Sequence, residues 1–190
     1  SLLKSLGDVS GKRLLDVGCG SGVLSFVLLQ RGLAEAVGTD IEPRAVVCAN
    51  ANAVQLGLNN QFEAVHADLY PHHLGFDWVL FNAPWMIGEP ATRLDRAIFD
   101  FEGQTLRRWL NGLKNALNPK GQAALILSDF PERIGLRKDG DVSSLIKQSG
   151  MKVQEMYAEK ANHARAKNNL DPLFKMRSKE QIRLFILAPE

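Results

Sequence analysis

Residues 13–29 read RLLDVGCGSGVLSFVLL: a short apolar run, a turn with glycine at 18, 20 and 22, and a second apolar stretch at helical spacing. Glycine reaches torsions that side chains resist and lets a ligand approach the main chain, so the segment predicts a strand, a tight turn and a helix. The alternation continues along the chain. EAVGTDI (35–41), FEAVHAD (62–68), WVLFN (78–82) and QAALILSD (122–129) are further strands. Pro43 opens a helix that runs to about Gly57, with proline in its first turn and glycine past its end. A third helix, 102–117, carries Leu106, Trp109, Leu110, Leu113 and Leu117 on one face and is stopped by NPKG at 118–121. A fourth, near 141–149, precedes two closing strands, 151–160 and 181–189, expected as a hairpin-like pair with the final one antiparallel. Apolar strands separated by helices predict an α/β fold: a doubly wound, mostly parallel seven-stranded sheet covered on both faces.

Composition bounds the setting. At 190 residues the chain suits one domain, 1–190, against a prior of roughly 100–200 residues per domain. It starts on Ser1, without Met and inside a helical pattern (Leu2, Leu3, Leu6), which keeps open a fragment of a longer chain. A formal net charge of +2 permits an anionic partner without requiring one. Two cysteines, Cys19 and Cys48, are too few for a disulfide scaffold or a metal cluster and point to a reducing cytoplasm. No apolar run approaches the ~18 residues of a membrane span, so no membrane partner is expected.

Ligands of open α/β sheets sit beyond the carboxyl ends of the strands, which singles out 19–22, 40–41, 68–69 and 82–85. The dinucleotide pattern would place its third glycine at position 23, which is Val23, so the turn departs from the nicotinamide type. Asp40 can accept from both hydroxyls of a ribose, or it is merely an acid ahead of the helix that Pro43 opens. Asp68 suits an adenine amino group, or a plain turn. FNAPW (81–85) stops an apolar strand on an amide, turns through a proline and presents a tryptophan. It is a simple turn or a substrate cradle.

Taken together, LLDVGCGSG, VGTDIEPRAV, HADLY and VLFNAPW resemble the successive motifs of class I S-adenosylmethionine (SAM)-dependent methyltransferases. The likeness is greatest to the small-domain group containing release-factor glutamine methyltransferases and several RNA base amino-methyltransferases, and it runs from about Leu14 to Asp129. It implies a Rossmann-like fold and SAM as cofactor. It also implies that Asp16 and the backbone of Gly18, Cys19, Gly20 and Gly22 hold the methionine end. Asp40 would take the ribose and Asp68 the adenine amino group, with Ile41 and Leu69 on either side of the ring. NAPW resembles the family's N-P-P-aromatic motif, with Ala83 replacing the first proline. That motif accompanies methylation of planar amino nitrogens: adenine, guanine or glutamine amide. Asn82, Ala83, Pro84 and Trp85 are therefore the expected catalytic residues. The substrate is an RNA base or a protein glutamine, RNA slightly favoured. A small-molecule methyltransferase, a non-catalytic SAM-binding scaffold and, disfavoured by Val23, a nicotinamide oxidoreductase are the alternatives.

Other features stay structural. Cys19 has no base partner in its turn, and Cys48 is expected in a helix core. Adjacent His72 and His73 lack spaced ligand partners, so no metal is expected. Connections 85–101, 129–140 and 161–179 all emerge at the carboxyl edge and are expected around the substrate. Within the basic insert, 160–179, Lys160, Arg165, Lys167, Lys175, Arg177 and Lys179 face a single acid, Asp171, a balance of +5. The run is a solvated face or a landing surface for RNA or an acidic protein.

Overall fold

The structure, a computed structural model, describes residues 2–92 and 94–190; Ser1 lies outside the described residues. The first half runs β1 (Arg13–Val17), α1 (Val23–Leu29), β2 (Glu35–Asp40), α2 (Pro43–Gln55), β3 (Phe62–His66) and β4 (Phe76–Asn82). Two short strands, β5 (Met86–Ile87) and β6 (Phe99–Asp100), precede α3 (Gln104–Ala116), β7 (Leu117–Ser128), α4 (Phe130–Arg133) and α5 (Asp141–Gln148). The chain closes with β8 (Met151–Lys160), α6 (Ala164–Lys167), α7 (Phe174–Arg177) and β9 (Gln181–Pro189).

Among the described residues, seven strands form one sheet in the order β3-β2-β1-β4-β7-β9-β8. The first five are parallel, and β9 lies antiparallel between β7 and β8, as the closing pair predicted. The period of two along each strand divides the core into two layers. Val79 and Phe81 of β4 and Leu125 and Leu127 of β7 face Trp109, Leu110 and Leu113 of α3. Trp78, Leu80, Ala124 and Ile126 face the other way, with Phe26 of α1 and Ala49 and Ala53 of α2. Trp78 and Trp109 are both core residues. No helix among the described residues is long and apolar enough to cross a membrane.

Several expectations need correction. Strands foreseen to 41 and 68 stop at Asp40 and His66, which leaves Ile41, Asp68 and Leu69 in the turns while Asp40 ends its ladder. The opening helical pattern forms a 3₁₀ segment, Leu2–Leu6, with only Leu6 buried. NPKG ends α3 but lies inside β7, where a register shift pairs Phe76 with Leu117 and Trp78 with Gln122. Gly121 permits this, because a Cβ there would stand 2.7 Å from the Phe76 carbonyl oxygen. Cys48 is exposed: the face of α2 that packs on the sheet is set by Ala49 and Ala53, one position around.

Candidate active site

The turn after β1 is held by its own backbone. Gly18, Gly20 and Gly22 have φ of 64°, 55° and 82°, in the left-handed region where a side chain costs roughly 1–2 kcal/mol. A Cβ on Gly22 would also meet the Phe26 ring at 2.5 Å, so the third glycine is required at 22, one place before the dinucleotide spacing. Gly20 differs: nothing lies within 4 Å of where its Cβ would stand, which leaves the main chain open to a ligand. Cys19 donates its N–H to the Thr39 carbonyl at 2.9 Å and packs its sulfur against Gly38, where a Cβ would come within 2.7 Å. Burial pushes its thiol up to about 12, which suits a packing residue and not a nucleophile.

Three carboxylates follow at successive strand ends. Asp16 is 1% exposed and accepts the Ser25 hydroxyl at 2.7 Å; burial outweighs that bond and raises its carboxyl from 3.8 to about 6. Asp40 accepts the Gly20 N–H on one oxygen at 3.0 Å and the Glu42 N–H on the other at 2.9 Å. Each oxygen keeps a further lone pair for a hydroxyl. Asp68, half-exposed, accepts one guanidinium N–H of Arg108 at 2.7 Å, a partner on α3 that no sequence signal connects to it. Next to it Leu69 has φ 71°, an unusual value for a branched side chain. Its carbonyl takes the Thr39 hydroxyl at 2.7 Å, and the Tyr70 hydroxyl is tied to the Trp109 carbonyl, so neighbours on both sides enforce the strain. Ile41 leaves 45% of its surface exposed at the end of β2. An open glycine backbone, carboxylates with spare acceptor capacity and an uncovered apolar side chain fit an adenosine-bearing cofactor with no phosphate beside its ribose.

The second region begins at the end of β4. Asn82 is exposed, whereas Ala83 and Pro84 are buried. The Trp85 indole N–H donates to Asn82 Oδ1 at 3.3 Å, and the Trp85 carbonyl accepts from Arg137 at 3.4 Å. Asn82 and Trp85 line a cavity of about 320 Å³. Each of the three long connections contributes to its wall: Met86 and Ile98, then Phe130, then His163, Arg165 and Arg177. Buried Glu180 and Ser128 complete it. Ser128 donates to Glu180 at 2.6 Å, and His163 Nε2 lies 2.9 Å from the other carboxylate oxygen. His163 Nδ1 accepts the Ala166 N–H, so the proton sits on Nε2 and is given to Glu180. Sequence reasoning missed Ser128, His163 and Glu180; the only cue was a serine and an acid, SD, closing an apolar strand.

A doubly wound, mostly parallel sheet with an antiparallel penultimate strand, a glycine turn after β1 and acids at the ends of β2 and β3 is the arrangement of the class I SAM-dependent methyltransferases. The chain belongs to the methyltransferase-domain family, whose sequence pattern matches residues 8–177, and its cofactor is SAM. It is 31% identical over 160 residues to a protein provisionally named protein N5-glutamine methyltransferase, MJ0928, from Methanocaldococcus jannaschii, covering 80% of this chain and 77% of that one. A ribosomal protein L11 methyltransferase from Yersinia pseudotuberculosis is 40% identical over 75 residues, which is 40% of this chain and 26% of that relative. The chain thus spans about a quarter of the L11 enzyme it matches. Among solved structures, geranyl diphosphate methyltransferase in complex with SAM superposes with a TM-score of 0.73 at 15% identity, over 100% of this chain and 83% of that chain.

Proposed function

We propose that this enzyme transfers a methyl group to the side-chain amide nitrogen of a glutamine in a protein. The observation that carries the reading is Asn82: it closes β4 at the cavity, its amide oxygen is oriented by the Trp85 indole, and both belong to the asparagine cradle of amino-nitrogen methyltransferases. The relative MJ0928, matched over most of both chains, supports glutamine as the acceptor.

On this reading Asp16 and the backbone at Gly18, Cys19, Gly20 and Gly22 hold the methionine end of SAM. Asp40 takes the ribose hydroxyls, Asp68 the adenine amino group, and Ile41 and Leu69 flank the ring. SAM, when bound, supplies an electrophilic methyl group. The protein must then improve a poor nucleophile, because an amide nitrogen delocalises its lone pair into the carbonyl. Asn82 Oδ1 and the Ala83 carbonyl accept the two N–H groups and favour a pyramidal nitrogen with its lone pair free. Pro84 fixes the turn that presents them, and Trp85 stacks on the planar amide. No strong base is needed beforehand, since the methylated nitrogen loses its proton readily.

An RNA base amino group is the second acceptor, suggested by the insert's surplus of lysine and arginine. Part of that surplus is paired within the insert: Arg165 and Arg177 lie 3.3 and 3.4 Å from Asp171, and both line the cavity, although Arg165 stays largely exposed. Residues 1–190 are proposed to act as one unit, and two unpaired cysteines suit the reducing cytoplasm. Incubation with methyl-labelled SAM and cell extract, followed by separation of protein, RNA and small molecules, tests the proposal. Label in protein, located on glutamine by mass spectrometry, is the expected result; label confined to RNA or small molecules overturns it.

A further inference from the structure

The wall of the acceptor cavity holds two guanidinium groups, those of Arg165 and Arg177, that share one acid. Arg177 lies with its guanidinium 3.9 Å over the centroid of the Phe130 ring, and its side chain is 12% exposed. Its Nε–H has no hydrogen-bond acceptor among the described residues, which is a costly state for a buried charged group. The nearest carboxylate oxygen, Asp171 Oδ2, is 3.4 Å away outside hydrogen-bond geometry, and the same oxygen receives Arg165 Nε at 3.3 Å. The other Asp171 oxygen is taken by the Leu173 N–H at 2.8 Å. Two guanidinium groups therefore share one carboxylate that is already occupied. Glu180, the acid that lines the cavity, is committed to Ser128 and to His163. Arg165, by contrast, is 70% exposed and free to turn toward an arriving anion.

We propose that Arg177 and Arg165 form a carboxylate subsite beside Asn82, which selects glutamines lying next to an acidic residue of the substrate chain. The inference rests on the protein-glutamine reading above. A guanidinium presents a fork of N–H groups that matches a carboxylate in two parallel bonds, and Phe130 holds the inner fork flat by stacking. A substrate carboxylate in the cavity would meet the guanidinium groups that Arg177 and Arg165 bring to its wall and relieve Asp171 of serving two cations. An RNA phosphate is the other anion of suitable charge. It fits less well, because the inner arginine is sunk in a cavity walled by Trp85, Met86, Ile98 and Phe130 rather than set along a groove that tracks a backbone.

The test uses acetylated and amidated pentapeptides with a central glutamine flanked by glutamate, alanine or lysine, alongside a short single-stranded RNA. Each is incubated with enzyme and methyl-labelled SAM, and KM and kcat are separated. Glutamate-flanked peptides should show a KM lower than alanine-flanked ones by about tenfold, and lysine-flanked ones the highest KM. In Arg165→Gln, whose exposed side chain makes misfolding a minor concern, that preference should shrink to about threefold or less with kcat little changed. Arg177→Lys keeps the charge but loses the fork and should likewise shrink it. Equal KM for all three peptides, or a preference untouched in both variants, overturns the subsite while leaving glutamine methylation standing. Label entering RNA and no peptide overturns the glutamine reading, and the subsite with it. Label in neither counts against both.

Discussion

The edge built from β1, β2 and β3, proposed to hold the cofactor, and the edge built from β4, β7 and the insert, proposed to hold the acceptor, are assembled differently. On the first, each candidate ligand lies within a few residues of a strand end, and two of the bonds that hold them, Gly20 to Asp40 and Ser25 to Asp16, span 20 residues or fewer, the Asp68–Arg108 pair being the long-range exception. On the second, Asn82 meets Phe130, His163, Arg177 and Glu180, and the bond from Ser128 to Glu180 spans 52 residues. A cofactor common to many enzymes can be held by a fixed local pattern. An acceptor peculiar to one enzyme is met by long connections that converge only once the sheet has formed.

If that division is real, substitutions on the two edges should separate binding from turnover. The largest effect belongs to Asp40→Ala. It removes the carboxylate assigned to the ribose and leaves the Gly20 and Glu42 N–H groups without their acceptor, weakening SAM binding by on the order of 2–4 kcal/mol. Calorimetry with SAM decides it, and unchanged affinity would sink the ribose assignment.

Asp16 sharpens the same edge through pH. Its carboxyl is raised from 3.8 to about 6 by burial, so the folded protein holds this proton more tightly than the unfolded chain does. The stabilisation is complete below about 4 and is lost as pH rises through 6, an amount of about 3 kcal/mol at 1.36 kcal/mol per pH unit. SAM affinity should run the opposite way, rising through the same window, because the ammonium of the methionine end requires the carboxylate. Thermal unfolding and SAM titration between pH 4.5 and 7.5 should show these opposed trends, and Asp16→Asn should abolish both. Parallel trends would remove Asp16 from the cofactor site.

On the other edge, Asn82→Ala should leave most SAM affinity intact and lower kcat by on the order of 10²-fold, as for loss of one preorganised polar contact to the reacting group. Collapse of SAM binding together with activity would make Asn82 a cofactor residue and dissolve the division.

The same division explains what could be read from the residues alone. The mostly parallel seven-stranded sheet, its antiparallel last strand and the placing of Gly18–Gly22, Asp40, Asp68 and Asn82 at turns or strand ends follow from periodicity and turn chemistry, which are local; the order of the strands does not. Cys48 escaped because four consecutive residues of α2, Val46 to Ala49, are apolar or nearly so, and a run of that kind does not say which face packs. The pairing of Asp68 with Arg108, and of Glu180 with Ser128 and His163, joins segments that only the folded sheet brings together. Charge in the insert was visible as a count of +5, but a count does not show that Arg165 and Arg177 turn toward Asp171.

The smallest expected effect tests what is left of that charge. Lys167 and Lys175, at the ends of α6 and α7, are exposed and form no ion pair among the described residues. On the protein-glutamine reading they are a solvated face, and Lys167→Gln with Lys175→Gln should leave kcat/KM and its salt dependence unchanged. If the acceptor were single-stranded RNA, each phosphate contact would contribute about 0.7 to the slope of log K against log salt, and the double variant would flatten it by roughly 1.4. Measuring methyl transfer to the labelled acceptor fraction over a range of salt concentration distinguishes the two cases. The comparison with Arg165→Gln matters here, since that change removes a cation from the same insert. An effect of Arg165 without an effect of the lysines means that position at the cavity, and not total charge, governs the acceptor. Equal effects per cation would mean the reverse, and would return the insert to a landing surface for a polyanion.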